Sequence, residues 1–98
     1  MKISDKVICI DDIFPLEGRE VFNKLPQKNQ IYCVRSIESS PTGKGIYIKL
    51  VGIYAEERRL KGTNIIFERG FKPERFRTIE EIKNKNVEIL FDNILHLV

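Results

Sequence analysis

Short runs of β-branched and aromatic residues, separated by turn-forming residues, constrain this chain more than any other feature. Such runs predict strands at residues 6–11, 30–37, 46–53 and 64–68. They are interrupted by turn-rich or polar segments at residues 12–29, 39–45 and 55–64. A chain of 98 residues has about the length of one domain. We therefore expect a single, mainly β domain.

The first connection, residues 12–29, is long for a compact domain. Turn-forming residues within it argue against a long helix or strand; they are Pro15, Gly18, Pro26 and Asn29. Such a loop must be held down by its own apolar side chains. The candidates are Ile13, Phe14, Leu16, Val21, Phe22 and Leu25.

A proline beyond the fourth run completes an order of elements that is typical of one small fold. Pro73 favours a single 3-10 turn at residues 73–76, pinned to the core by Phe71 and Phe76. The order is then strand, long loop, strand, turn, strand, hairpin, strand and 3-10 turn, which is that of an SH3-like β-barrel. Closing the sheet would hide edges that could pair with other chains. We predict this barrel over residues 1–77.

Residues 78–98 are expected to form an amphipathic C-terminal extension. Thr78 and Glu81 match a helix capping box. Residues 87–98 are strongly apolar, and we expect a helix there, with an extended strand as the alternative. Burying a large apolar side chain contributes about 1.5–3 kcal/mol, so the extension must lie on the barrel, on a second copy or on a partner. The candidate interaction surface consists of Leu90, Phe91, Ile94, Leu95 and Leu97.

Three segments together resemble small phage and prophage proteins of SH3-like fold. They are KVICIDD at residues 6–12, KNQIYCV at residues 28–34 and FKPERF at residues 71–76. Members of that family read V-x-C-I-D, then G-K-x-Y-x-V, then an aromatic residue, a proline and R-F near the end. The chain departs from this pattern at Asn29 and Gln30, in an insertion at residues 55–64 and in its C-terminal segment. The resemblance implies an SH3-like fold and an origin in a mobile element, but no activity.

The basic residues are concentrated in one part of the sequence. The chain has 17 basic and 14 acidic residues, for a net charge of +3. Residues 58–77 carry an excess of five positive charges, whereas residues 1–57 are neutral overall and residues 78–98 have an excess of two negative charges. Clustered lysine and arginine attract phosphate groups. This predicts an anion or nucleic-acid patch, with a solvated loop rim as the alternative, at Arg58, Arg59, Lys61, Arg69, Lys72, Arg75 and Arg77.

Two charged features have an ordinary structural interpretation. Asp11 and Asp12 could serve a metal or acid–base chemistry, but we expect them to end the first strand and to accept hydrogen bonds from loop amides. Arg75 could bind an anion, but we expect it to pair with Asp11, Asp12 or Glu17.

The aromatic residues give a third candidate site. Tyr32, Tyr47 and Tyr54 could form a groove of the kind that SH3 domains use for proline-rich peptides. The chain has no tryptophan, on which such grooves usually rely. We therefore expect Tyr32 to belong to the core instead.

The remaining candidates predict neither a metal site nor a catalytic site. Cys9 and Cys33 lie in apolar runs and are interpreted as reduced thiols. With His96 they are too few for zinc, which takes about four ligands. No convergent catalytic set is visible, so we expect no cofactor and no enzymatic activity. The longest apolar run, residues 7–10, is too short for a membrane span, and residues 1–6 lack a signal-peptide core, so a cytoplasmic protein without membrane contact is expected.

These observations favour one function and leave a second open. The favoured function is a non-enzymatic protein-interaction module of phage or mobile-element origin, which binds a host or phage protein or associates with itself. The alternative is a weak nucleic-acid binder that uses residues 58–77, whose affinity would fall steeply with salt.

Overall fold

The computed structural model describes residues 1–41 and 43–84. The strands in this part are β1 (Lys6–Cys9), β2 (Ile31–Ser39), β3 (Ile46–Leu50), β4 (Glu57–Arg59), β5 (Ile66–Glu68) and β6 (Phe76–Thr78). Two 3-10 helices span Arg19–Val21 and Pro73–Arg75, and helix α1 spans Ile79–Asn84.

The strands form two antiparallel sheets. The larger sheet has the order β3-β2-β1-β6, and β4 pairs with β5 in a hairpin. The predicted mainly β fold is therefore confirmed. Neither sheet closes on itself within the described residues, so closure into an SH3-like barrel is not confirmed.

The edge strand β3 nevertheless meets the segment that leads into the opposite edge strand, β6. Ile48 and Phe71 exchange two backbone hydrogen bonds, each 2.8 Å long. Gly70 permits this approach, because a Cβ at position 70 would lie 2.5 Å from the carbonyl oxygen of Ile48 and would collide with the ring of Tyr47. The larger sheet is thus bent until its two sides meet at a single residue pair.

Four of the six strands coincide with predicted runs, and two do not. β3 ends at Leu50 instead of residue 53, because Gly52 adopts a φ of 84° in the turn that follows. β4 lies in the polar segment predicted as a loop or hairpin tip, and β6 directly follows the predicted 3-10 turn. Both missed strands are only three residues long, so neither carries a recognisable alternation.

One apolar core joins the larger sheet to the first loop. Phe71 lies at its centre, with its ring centroid 4.7 Å from that of Phe22, 5.5 Å from Phe14 and 6.1 Å from Phe76. The predicted anchoring by Phe71 and Phe76 is therefore confirmed. The buried members of the core are Val7, Cys9, Phe14, Val34, Ile48, Leu50, Ile53, Phe71 and Phe76.

The first loop uses only part of the apolar residues predicted to pack it. Those that point inward, wholly or in part, are Phe14, Val21, Phe22 and Leu25. Ile13 and Leu16 are instead 79% and 80% exposed, so the prediction is wrong for these two. Hydrogen bonds replace apolar contacts in this stretch, since Arg75 donates to the carbonyl of Ile13 and Arg19 donates to that of Phe14.

Helix α1 covers the face of β1 opposite the core. The N–H of Glu81 donates to Oγ of Thr78 over 3.0 Å, which confirms the predicted N-cap. Ile82 is 3% exposed and packs against Ile8 and Ile10. Ile8 points away from the core because neighbouring residues of a strand face opposite sides. The rest of the predicted extension, with residues 87–98 and the whole candidate interaction surface, lies outside the described residues.

Charged side chains fasten the β4–β5 hairpin to the larger sheet. Arg35 on β2 forms a two-pronged ion pair with Glu68 on β5, with N–O distances of 2.9 and 3.3 Å. Arg35 also donates to two backbone carbonyls of the larger sheet and the turn after it. Lys49 on β3 lies 3.7 Å from Glu68 and 2.7 Å from Glu38.

Burial alone would raise the pKa of Glu68. The hydrogen bonds from Arg35 and from the N–H of Ala55, together with the charges of Arg35 and Lys49, outweigh burial and hold this pKa below its ordinary value. The hydrogen bond from Lys49, and next that from Ser36, lower the pKa of Glu38 in the same way. Both carboxylates are therefore stabilised in their charged form by the folded chain.

Candidate functional site

A cleft of about 220 Å³ opens between the first loop and residues 69–75. We call it the loop cleft. Its apolar side chains are Phe14, Pro15, Phe22, Leu25 and Phe71. Ligand pockets for drug-sized molecules measure about 300–1,000 Å³, so this cleft suits a single side chain or a small anionic group.

Four cationic side chains line the loop cleft: Arg19, Arg69, Lys72 and Arg75. Glu17 is the acidic residue that lines it. An anion that the apolar side chains shield in part from water would be attracted by these cations more strongly than in open water. The arrangement favours a ligand that combines an apolar group with a carboxylate or phosphate.

Two of the four cations are held by the protein itself. Arg19 donates to the carbonyl oxygen of Phe14 through both Nε, at 3.0 Å, and Nη2. Arg75 pairs with Asp11 at 3.2 Å, donates to the carbonyl of Ile13 at 2.7 Å and lies 4.6 Å above the ring of Phe14. The predicted ion pair between Arg75 and Asp11 is confirmed. These two arginines therefore build the wall of the cleft.

The other two cations are not neutralised. Within residues 1–41 and 43–84, no carboxylate lies within 4.0 Å of the charged groups of Arg69 and Lys72, and neither side chain makes a hydrogen bond. Arg69 rests against Gly18, which is buried and has a φ of 87°; a Cβ at that position would collide with the guanidinium. The two side chains thus present free positive charge at the mouth of the cleft.

A second cleft, of about 270 Å³, lies on the other side of the same two cations. We call it the turn cleft. Its apolar wall includes Ile46, Tyr47 and Phe67, and Lys44 adds a further cation. Burial, and next the negative charge of Glu38, raise the pKa of Tyr47, so its hydroxyl stays protonated at neutral pH. Arg69, Gly70 and Lys72 line both clefts.

The structure divides the seven basic residues of the predicted patch. Arg69, Lys72 and Arg75 line the loop cleft. Arg58, which pairs with Glu56 at 2.8 Å, belongs with Arg59 and Lys61 to the β4–β5 hairpin. Arg77 donates to the backbone carbonyls of Glu74 and Phe76.

Sequence reasoning missed Arg19 and Lys44 because both lie far from residues 58–77 along the chain. The stretch with the largest charge excess, residues 58–77, does not include them, and residues 1–57 as a whole are neutral. The tertiary structure alone brings Arg19 beside Arg69 in the loop cleft and Lys44 beside it in the turn cleft.

The remaining candidate residues have structural roles. Asp11 accepts a hydrogen bond from the N–H of Ile13 at 3.0 Å, and Asp12 accepts one from the N–H of Lys28 at 3.1 Å. Both bonds confirm the prediction that this acidic pair binds loop amides. Burial raises the pKa of the Cys9 thiol, which is therefore protonated and inert.

The three tyrosines occupy different surroundings. Tyr32 packs on the core, and its hydroxyl accepts a hydrogen bond from the N–H of Gln27 at 2.7 Å. Tyr54 lies under the guanidinium of Arg35, 4.6 Å from its centre, and Tyr47 lines the turn cleft. Tyr32 is thus half-buried against the core and is not one of its fully buried members.

The described part of the chain contains no cluster of three or more His, Cys, Asp or Glu side chains that could hold a metal ion. Among the same residues, no helix is both long and apolar enough to cross a bilayer.

Fold and clefts together define a small, mainly β protein with two apolar clefts on either side of a cationic ridge. Comparison of the chain with models of known protein families, with curated protein sequences and with solved structures found no match in any of the three. The resemblance to small phage proteins of SH3-like fold therefore stays a prediction from the sequence.

Proposed function

We propose that this chain is a small non-enzymatic interaction module that binds a protein partner through the loop cleft. The observation that carries the proposal is the free positive charge of Arg69 and Lys72 beside an apolar floor. Arginine and aromatic residues are enriched where interfaces are tightest. A partner segment that inserts one apolar side chain and brings a carboxylate to the ridge satisfies both features.

The finer fold and origin belong to the same proposal. We interpret the open sheet as an SH3-like arrangement, supported by the order of the elements and by the hydrogen bonds between Ile48 and Phe71. The phage or mobile-element origin rests on the sequence resemblance. The two free thiols, Cys9 and Cys33, are typical of a reducing compartment, which supports a cytoplasmic location.

The aromatic side chains of the loop cleft favour a protein partner over a nucleic acid. Single-stranded nucleic acids bind by stacking bases on open aromatic faces. Phe14 and Phe71 are only 8% and 5% exposed, and the ring of Phe22 is stacked on Phe71. These rings line the cleft but offer little area on which a base could stack.

A peptide-display selection on the full chain tests the proposal. We expect it to enrich acidic peptides that carry at least one large apolar residue, and we expect Lys72→Glu to weaken their binding by about tenfold or more. Lys61→Glu makes the same charge change at an exposed hairpin position and serves as the matched control. Peptides that show no acidic preference, or that bind both variants equally, would refute the proposal.

Nucleic-acid binding remains the second candidate, because Arg59 and Lys61, like Arg69 and Lys72, have no carboxylate partner within the described residues. Fluorescence anisotropy with a labelled oligonucleotide at two salt concentrations tests it. Affinity that falls steeply with salt, tighter than about 10⁻⁴ M, would favour this candidate. Weaker binding would end it.

Self-association is a second form of the interaction proposal. It depends on the apolar residues predicted from the sequence at positions 90–97, which lie outside the described residues. Light scattering across a concentration series tests it: a mass that rises to that of a dimer supports self-association, and a constant monomer mass contradicts it.

A further inference from the structure

The loop cleft and the turn cleft adjoin each other. They share three residues, Arg69, Gly70 and Lys72, so that only the cationic ridge separates them. We propose that the partner is an acidic peptide with two apolar anchors, one in each cleft, whose intervening carboxylates bind the ridge. This inference rests on the proposed function and adds the chemistry of the segment that is recognised.

The turn cleft is suited to the second anchor. Ile46, at the start of β3, is 56% exposed and presents apolar surface to the cleft beside Tyr47 and Phe67. The volume of the turn cleft, about 270 Å³, is close to the 220 Å³ of the loop cleft. Both clefts are therefore smaller than a pocket for a drug-like ligand. Each has the size for one side chain, and the two side chains can belong to the same peptide.

The charges of the two clefts require an acidic ligand. Among the described residues, the cations that line them are Arg19, Lys44, Arg69, Lys72 and Arg75, and the one carboxylate that lines them is that of Glu17. Arg75 already forms an ion pair with Asp11, so its charge is neutralised within the protein. Because Arg69 and Lys72 stand between the clefts, the acidic residues of the ligand are expected between its two anchors. A basic or neutral peptide would leave these cations uncompensated on burial.

Gly70 contributes to the shape of this surface. It lies between the two cationic positions, where a side chain would collide with Tyr47 and with the backbone of Ile48. The backbone between the two cationic residues therefore lies directly against β3.

The experiment uses three capped peptides and the full chain labelled with ¹⁵N. The two-anchor peptide is GLDEDLGS, the one-anchor peptide is GLDEDSGS, and the peptide without anchors is GSDEDSGS. In the two-anchor peptide, the Cα atoms of the two leucines can be up to about 13 Å apart. Two further versions of this peptide, with one or two acidic residues between the leucines, shorten that span. The amide signals of Gly18 and Ile46 report on the loop cleft and the turn cleft.

We expect the best two-anchor spacing to shift both amide signals and to bind about tenfold more tightly than the one-anchor peptide. Ile46→Thr, which keeps a β-branched residue in β3, should weaken the two-anchor peptide severalfold and leave the one-anchor peptide unaffected. Ile66→Thr is the matched control, since Ile66 is 60% exposed on β5 and lines neither cleft.

The outcomes separate this inference from the proposed function. If the one-anchor and two-anchor peptides bind equally and only the Gly18 signal moves, the two-cleft model is overturned while the loop cleft stands as a binding site. If every peptide binds the Lys72→Glu variant as well as the unchanged chain, the proposed function fails as well. If a twelve-residue oligothymidine shifts both signals at lower concentration than any peptide, the surface is a nucleic-acid site and the inference is overturned.

Discussion

At the scale of the residue, Gly70 illustrates how one small side chain decides a contact between distant parts of the chain. Its position lies against the backbone of Ile48, where the bent sheet brings β3 to Phe71. A backbone atom cannot move aside as the end of a long side chain can. The two hydrogen bonds between Ile48 and Phe71 therefore depend on the absence of a Cβ at position 70.

We predict that Gly70→Ala lowers the free energy of unfolding by about 2–4 kcal/mol, because the clash breaks these two hydrogen bonds and loosens the packing of Phe71. Urea denaturation followed by circular dichroism measures this loss. Gly62→Ala is the control: Gly62 has a φ of 80°, but within the described residues no atom lies within 4 Å of the place that a Cβ would take, so this variant should lose only about 1 kcal/mol. Equal losses in the two variants would show that the close approach contributes nothing.

The residue Ile82 allows a second test at this scale. It is 3% exposed and attaches helix α1 to β1. We predict that Ile82→Ala costs about 2–5 kcal/mol of unfolding free energy, measured in the same urea titration. Ile66→Ala, at an exposed position of β5, should cost far less, and a comparable loss there would contradict the packing of α1 on the sheet.

At the scale of the element, the β4–β5 hairpin is held by charge more than by apolar burial. All three residues of β4 are exposed, and Glu68 on β5 is bound by Arg35 and by the N–H of Ala55 at 2.9 Å. The folded chain lowers the pKa of Glu68. Its contribution to stability is therefore fully present above the pKa of an unfolded glutamate and is lost as the pH falls through the lower, folded pKa.

We predict that the stability of the protein declines as the pH falls below about 5 and that Glu68→Gln makes this decline shallower. At neutral pH the same variant should lose about 1–3 kcal/mol, because Arg35 keeps its partly buried charge without a carboxylate. Chemical denaturation at a series of pH values measures both effects. Glu57→Gln, on the exposed strand β4, is the control, and an equal loss of acid sensitivity in that variant would contradict the role of Glu68.

At the scale of the whole molecule, the larger sheet and the hairpin differ in how they are stabilised. The sheet contains the buried apolar core, whereas the hairpin depends on ion pairs at its base. Local opening requires least free energy where few apolar contacts are broken. We therefore expect the hairpin to open before the sheet does.

Native-state hydrogen exchange tests this order. The amide of Ala55 donates its hydrogen bond to the side chain of Glu68, whereas the amides of Val34 and Ile48 donate to backbone carbonyls. We expect the amide of Ala55 to exchange faster than the other two. Glu68→Gln should accelerate exchange at Ala55 and leave Ile48 nearly unchanged. Equal protection at all three amides would indicate that hairpin and sheet open together.

Much of the fold can be predicted from local patterns in the sequence, but the surfaces of the two clefts cannot be predicted in this way. The β-branched runs predict β1, β2, β3 and β5, and Pro73 predicts the 3-10 turn, because these depend on the conformational preferences of adjacent residues. β4 is a strand because β5 pairs with it and Glu68 is bound by Arg35. Its own charged residues give no such signal.

The sequence by itself determined that the chain is mainly β, that Thr78 caps a helix and that Asp11 accepts a hydrogen bond from a loop amide, since each depends on residues close together in the chain. Only the tertiary structure decided that the larger sheet stays open apart from one residue pair, and that Arg19 joins Arg69 beside the loop cleft. The physical reason is that a cleft is formed by surfaces that fold towards each other, and its charge is the sum of side chains that no local pattern connects.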